Sequence, residues 1–241
     1  MSKGMFALAL LLVPSLASAQ IRQVGSSSSS EAAQTINFTI GYFGLKSLDS
    51  RVTDDVLVND LQNNQPLLFN VSDFNGATFG GEYLLRITSI IEAGAGVGYY
   101  QRTVPSVYAN LTHSSGDEIT QDLKLRTIPV SFTARYLPLG RNSAIEPYVG
   151  AGVVAIRWRY SESGDFVDAS NNIFPAVYVA KGTAVGPVVL GGVRIPMGPA
   201  LIGGEFRWQK AEGTGLRSQQ FLGDKIDLGG WTGNFTFGWR F

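Results

Sequence analysis

An all-β fold, an eight-stranded antiparallel up-and-down transmembrane β-barrel preceded by a cleaved signal peptide, is predicted from three features of the sequence. Segments of about ten residues alternate between apolar and small or polar side chains, the two-residue period of a strand with unlike faces. Short and long spacers between these segments also alternate, as they must when tight turns gather at one end of a barrel and large loops at the other. Finally, in the last segment, WTGNFTFGWRF, Trp231, Phe235, Phe237, Trp239 and Phe241 share one parity. A soluble edge strand with such a face would invite aggregation, so the face is read as turned to lipid.

Residues 1–19, MSKGMFALALLLVPSLASA, carry one positive charge at Lys3, an apolar run from Met5 to Val13 and small residues at Ala17 and Ala19. That is the pattern of a secretory signal cleaved before Gln20; the run is well short of the roughly 20 residues a spanning helix needs. Its removal leaves 18 basic against 19 acidic residues, a balance that argues against a nucleic-acid partner. The chain has no cysteine, so an exported protein of this size must hold its shape by backbone pairing and packing. Residues 20–34 include the run SSSSS, which has nothing to bury and reads as a flexible leader. The barrel is assigned to 35–241.

The first strand, TINFTIGYFG, sets Ile36, Phe38, Ile40 and Tyr42 against Asn37, Thr39 and Gly41. The second, ATFGGEYLLRI, sets Phe79, Tyr83, Leu85 and Ile87 against Gly80, Glu82 and Arg86. The third, IEAGAGVGYYQR, sets Ile91, Val97 and Tyr99 against Glu92, three glycines and Arg102. In the fourth, DLKLRTIPVSFTARY, Ile128, Val130, Phe132 and Tyr136 oppose Ser131, Thr133 and Arg135, but Leu123 and Leu125 run in the other parity, and Pro129 between them predicts a bulge. EPYVGAGVVAIRW, AVGPVVLGGVRI and LIGGEFRWQK are the fifth, sixth and seventh; both parities of the fifth are apolar, which leaves its facing open. The aromatic segment is the eighth. Short spacers fall near Thr88–Ile90, Pro138–Ala144 and Pro196–Pro199, and long polar ones, read as extracellular loops, at Leu45–Asn75, Ser161–Tyr178 and between the third and fourth and the seventh and eighth strands.

A soluble barrel turns its apolar face inward and covers its exterior with charge. Here the polar face is made of glycine, threonine and occasional charges, which suits a crowded interior, and the continuous apolar face then points out. Tyr42, Tyr83, Tyr99, Tyr136, Trp208 and Trp239 lie on that outer face near strand ends, as interfacial girdles do.

The segments IPVSFTARYLPLGRNSAIEPYVGAGV, GGEFRWQKAEG and IDLGGWTGNFTFGWRF resemble the small outer-membrane β-barrels of the OmpA/OmpX/OmpW type, and the likeness extends over Thr35–Phe241. It implies the bacterial outer membrane as location, with its lipid and lipopolysaccharide as neighbours and no cofactor. Phe235, Phe237, Trp239 and Phe241 are similar to the terminal signal that the outer-membrane assembly machinery reads in that family.

Eight strands enclose an interior about wide enough for side chains. Glu82, Arg86, Glu92, Arg102, Arg135, Glu205, Arg207 and Arg240 are therefore expected to meet there as a plug of paired charges, since buried charges persist only when paired. A tight turn centred near Ser89 puts Arg86 opposite Glu92. A structural or surface-interaction role is the first reading, and a narrow channel for small or hydrophobic solutes the second. A lipid A-modifying enzyme is a distant third: the single histidine, His113, has Ser115 beside it, but the setting is loop-like and no catalytic set is expected. With one histidine and no cysteine a transition-metal site is not expected either. Asp49, Asp54 and Asp55 in DSRVTDD lack the spacing of a known calcium loop and read as a solvated, mobile segment. The glycines of GAGAGVG precede no helix and belong to a strand of a narrow barrel.

Overall fold

The computed structural model describes residues 33–141, 143–168 and 170–241. The predicted signal peptide, and the predicted leader up to residue 32, lie outside the described residues. Eight long strands are present: β1 Gln34–Leu45, β2 Gly76–Arg86, β3 Ile91–Thr112, β4 Glu118–Tyr136, β5 Glu146–Val167, β6 Ile173–Met197, β7 Ala200–Gln209 and β8 Gly230–Arg240. Each is antiparallel to its sequence neighbours. The ring closes where β1 meets β8, from Thr35 opposite Arg240 to Leu45 opposite Gly230. Around the closed ring no sheet edge is left, which is what allows backbone polar groups to lie in an apolar medium; edges remain only on the upper extensions, such as residues 173–187 of β6, which pair with β5 alone.

Three connections at one end are short. Between β2 and β3 the Thr88 hydroxyl accepts from the Ile90 and Ile91 amides at 3.2 and 3.0 Å. Between β6 and β7 the chain reverses at Gly198, whose φ of +65° is a left-handed conformation that a side chain would strain. At the opposite end the structure corrects two of the predicted long loops. β3 and β4 continue to a tip at His113–Asp117, and β5 and β6 to one at Asp168–Asn172. These four strands have 22, 19, 22 and 25 residues, against 10 to 12 in the others.

The chemistry of the strand faces explains why the extensions look like loops in sequence. There is no bulge at Pro129, because the β4–β5 register is unbroken from Gln121–Gly164 to Tyr136–Val149. The β3–β4 ladder skips the positions between Val97–Val130 and Tyr100–Thr127, where Pro129 has no N–H to give, and shifts register only near the tip, between Val107–Thr120 and Thr112–Glu118. One parity of β4 points inward throughout: Arg135, Thr133 and Ser131 low in the barrel, Leu125 and Leu123 above them, all buried. Toward the tips the outward positions become Arg126 and Lys124. Facing on β5 is also resolved, with Tyr148, Val154, Ile156 and Trp158 buried inside and Val149 and Val153 exposed outside.

The upper interior is therefore an apolar core of the soluble kind. Phe43, Tyr100, Leu123, Leu125, Ile156 and Trp158 from the strands pack with Val56 and Leu57 of the helix α1, Val56–Gln62, and with Leu216, Phe221 and Ile226 from the segment between β7 and β8. The stretch expected to be solvated is ordered by this packing. Asp55 caps α1, accepting from the Leu57 amide at 3.0 Å, and also accepts from the Asp227 amide at 2.6 Å and pairs with Arg51 at 2.8 Å. Asp54 is held by Arg217 at 2.8 Å.

Candidate functional site

Low in the barrel the inward faces carry charge instead, arranged in two storeys. In the middle storey the Arg135 guanidinium reaches both Glu82 and Glu205, the latter at 2.7 Å. Arg207 closes the group, 3.0 Å from Glu205 and 3.8 Å from Glu82, and donates to the Ser131 hydroxyl at 3.2 Å. Glycines make the room. A Cβ on Gly94 would stand 3.0 Å from a Glu82 carboxylate oxygen and 2.8 Å from Leu84.

The lower storey lies toward the tight turns. Glu92 meets Arg194 at 3.0 Å and Arg141 at 3.1 Å. Glu146 meets Arg194 at 3.3 Å and also receives Arg240. Arg141 donates to the Thr35 hydroxyl at 3.1 Å, and Arg240 to the Arg141 carbonyl at 3.3 Å. Tyr148 joins the storeys. Its ring lies 4.7 Å from the Arg135 guanidinium carbon and 5.1 Å from that of Arg194, and its hydroxyl donates to Glu205 at 3.2 Å. Each pair stands in a medium from which water is largely excluded, where ion pairs and cation–π contacts are least screened. A small cavity of about 60 Å³ adjoins the middle storey, lined by Glu82, Ser131 and Arg207 together with Thr39, Gln209 and Asn234.

Of the residues singled out from sequence, Glu82, Arg135, Glu205 and Arg207 thus share one group, and Glu92 and Arg240 belong to the other. Arg86 stands opposite Glu92 in the β2–β3 register, but the ion pairs of Glu92 described above are made by Arg141 and Arg194. Arg102 departs from the expected network: it is exposed at the mouth, and its Nε donates to the Asp73 carbonyl at 2.9 Å. Sequence reasoning missed Arg141, Glu146, Arg194 and Tyr148. Arg194 had the usable signal, sharing the parity of Gly192 and Leu190; the two β5 residues lay on the strand whose facing was ambiguous. His113 and Ser115 are not brought together as a catalytic pair: His113 lies 3.4 Å from Asp165, while Ser115 donates to Asp117 at 2.7 Å.

The outer surface has its own order. Ile36, Phe38, Ile40, Phe132, Val185, Val189, Phe206, Phe235 and Phe237 are among the apolar side chains exposed on it. Tyr83, Tyr136 and Trp239 bound this belt at the turn end. Tyr42, Tyr99, Trp208 and Trp231 bound it toward the mouth, Tyr42 and Trp231 with ring centroids 6.5 Å apart. Immediately above, cations take over. Arg126, Arg159 and Lys181 are register neighbours across β4, β5 and β6, with Lys124 one outward position higher and Arg157 one lower. Among the described residues no carboxylate lies within ion-pair distance of these five.

No protein-family model matches the chain, and no curated protein matches it significantly. Solved structures do resemble it. The N-terminal β-barrel domain of Pseudomonas aeruginosa OprF is 10% identical, with 88% of this chain and 99% of that chain covered and a TM-score of 0.42. Ail, the attachment invasion locus protein of Yersinia pestis, is 12% identical over 88% and 99%, with a TM-score of 0.41. Neisserial surface protein A is 14% identical over 86% and 94%, with a TM-score of 0.40. The barrel architecture itself stands on the closed ring of strand pairings.

Proposed function

We propose that the protein is an integral outer-membrane barrel whose lumen is closed by its own ion pairs and whose folded mouth serves a structural or surface-interaction role. The observation that carries this reading is the reversal of the faces along single strands. Low in the barrel the exterior is apolar and the interior charged; above, the interior is apolar and the exterior charged. Lipid around the lower part and water around the upper part account for both halves at once. The 11 residues of β8, at about 3.3 Å each and tilted by roughly 40°, rise close to 25 Å, the height of the lipid-facing band of such barrels.

The five cations support an orientation. Set directly above the aromatic girdle, they match the phosphate groups of an anionic glycolipid leaflet, with lipopolysaccharide as the neighbour, and the tight turns then face the periplasm. The tests are two. Protein extracted from outer membrane by detergent should migrate faster on a gel unheated than boiled, and in planar bilayers it should give no sustained conductance. Identical migration would overturn the barrel reading, whereas steady single-channel steps would replace the closed lumen with a narrow solute channel.

A further inference from the structure

The mouth contains a cavity of about 540 Å³ that the closed lumen does not explain. α1 contributes Asp60 to its wall, β4 contributes Gln121 and β5 contributes Glu162. All three side chains are more than nine-tenths buried; Asp60 and Glu162 lie within hydrogen-bonding reach of each other and of Tyr160, yet Asp60 Oδ2, Glu162 Oε1 and Gln121 Oε1 each lack a well-aligned partner. The lining contains no lysine or arginine. Its remaining wall is aromatic. Phe166 packs edge-on against Tyr178 with centroids 4.8 Å apart, and Phe174 lies 6.2 Å from Phe166.

Buried acceptors without donors destabilise a fold unless something supplies the missing hydrogens. Here two of them belong to carboxyl groups, and the rings beside them present negative faces. We infer that this cavity binds a protonated primary or secondary amine, its N–H groups directed at Asp60, Glu162 and Gln121 and its carbon body against Phe166, Phe174 and Tyr178. The volume is that of a small-molecule site. Among the described residues no three His, Cys, Asp or Glu side chains gather as metal ligands, and an aromatic wall suits an organic cation better than a hydrated metal ion.

The electrostatics agree. Burial, and for Asp60 the Glu162 charge as well, holds both carboxyls above the ordinary range, Glu162 at about 7. The other titratable groups facing them are Asp55 from the start of α1, Tyr108 from β3 and Tyr160 from β5, and none of these is a cation. An ammonium group would supply the compensating charge.

The inference rests on the barrel reading only for access from the cell exterior, and its test is independent of that. Purified protein in detergent micelles at pH 8, shown to be folded by its heat-dependent gel migration, is titrated calorimetrically with spermidine. Saturable binding at one site is expected, with tetramethylammonium, which has the charge but no N–H, at least tenfold weaker. Asp60→Asn and Glu162→Gln should each weaken spermidine tenfold or more while keeping the gel shift. Should either variant fail to fold, Phe174→Ala on the opposite wall is expected to weaken binding severalfold. No saturable heat, equal binding of tetramethylammonium, or unchanged affinity in the folded variants would overturn the site and leave the barrel untouched.

Discussion

Glu92 and Arg194 are 102 residues apart and meet across the lumen through both carboxylate oxygens, at 3.0 and 3.1 Å. Among the described residues three arginines, 141, 194 and 240, gather around two carboxylates in that storey, each carboxylate receiving two of them. Loss of a carboxylate is thus the worse injury. Glu92→Ala should destabilise the barrel by roughly 3–5 kcal/mol, the usual consequence of leaving a buried ion unpaired, and Arg194→Ala by less, because Arg141 and Arg240 remain. Unfolding in detergent measures both. The reverse order would mean that the storey is not limited by its negative charge. A double-mutant cycle should also find coupling between Glu92 and Arg194.

Tyr148 separates two functions of one side chain. Tyr148→Phe keeps the ring between Arg135 and Arg194 and loses the hydroxyl bond to Glu205, at a cost of about 1 kcal/mol. Tyr148→Leu loses both and should cost about 2–4 kcal/mol. Equal effects in equilibrium unfolding would show that the stacking contributes nothing.

The tips of the long hairpins should tolerate insertion, and the helix end should not. Ser170 lies in the exposed tip between β5 and β6, and Ser115 in that between β3 and β4. Asn63, in contrast, caps α1, its amide donating to Asn59 at 2.9 Å and its side chain accepting from Gln65 at 2.6 Å. An epitope placed at Ser170 or Ser115 should be reached by antibody on intact cells, while one at Asn63 should lower the amount of folded protein. Labelling at Ser170 only after the outer membrane is broken would invert the orientation.

The strand count and the facing of the lower barrel were legible in sequence because a two-residue period survives whatever lies on either side of it. What was illegible was the change of surroundings along one strand. Leu123 and Lys124 in the upper part of β4, set beside Val130 and Ser131 in the lower, look like a slip in parity, yet each parity keeps its side and the medium changes instead. The ion-pair partners were hidden for a different reason. Register names the neighbour along the sheet, as it does for Arg86 and Glu92, but a narrow interior lets long side chains meet across it, and Arg194 and Arg141 reach Glu92 from other elements. The amine cavity could not be read at all, since Asp60, Gln121 and Glu162 come together only after the mouth folds.

Phe241 seals the seam of the ring, exchanging backbone hydrogen bonds with Gln34 at 3.1 and 3.2 Å while its ring faces outward. The backbone bonds survive substitution, so a change at this side chain separates assembly from stability. Phe241→Asp should reduce the amount reaching the outer membrane, with protein refolded in detergent unfolding close to the wild-type midpoint. Normal outer-membrane levels would show that the aromatic face of β8 is not read during assembly.

The mouth should be more stable in mild acid than in mild alkali, opposite to the trend that salt-bridged carboxylates produce. Burial raises the Glu162 carboxyl to about 7 and pushes Asp60 well above its ordinary value, with the Glu162 charge adding to the effect. The folded mouth therefore holds protons that the unfolded chain releases near pH 4 to 4.5. Where the folded state binds more protons, stability falls as pH rises. The contribution is fully favourable below the ordinary carboxylate range, declines through about pH 7 as Glu162 ionises, and for Glu162 alone amounts to on the order of 3 kcal/mol. The α1 amides report it, since Asn59 and Asn63 donate within the helix that carries Asp60. After correction for intrinsic exchange, their hydrogen-exchange protection should be greater at pH 5 than at pH 8 in the absence of amine, and Glu162→Gln should flatten most of that difference. Greater protection at pH 8 would mean that these carboxyls ionise freely in the folded mouth.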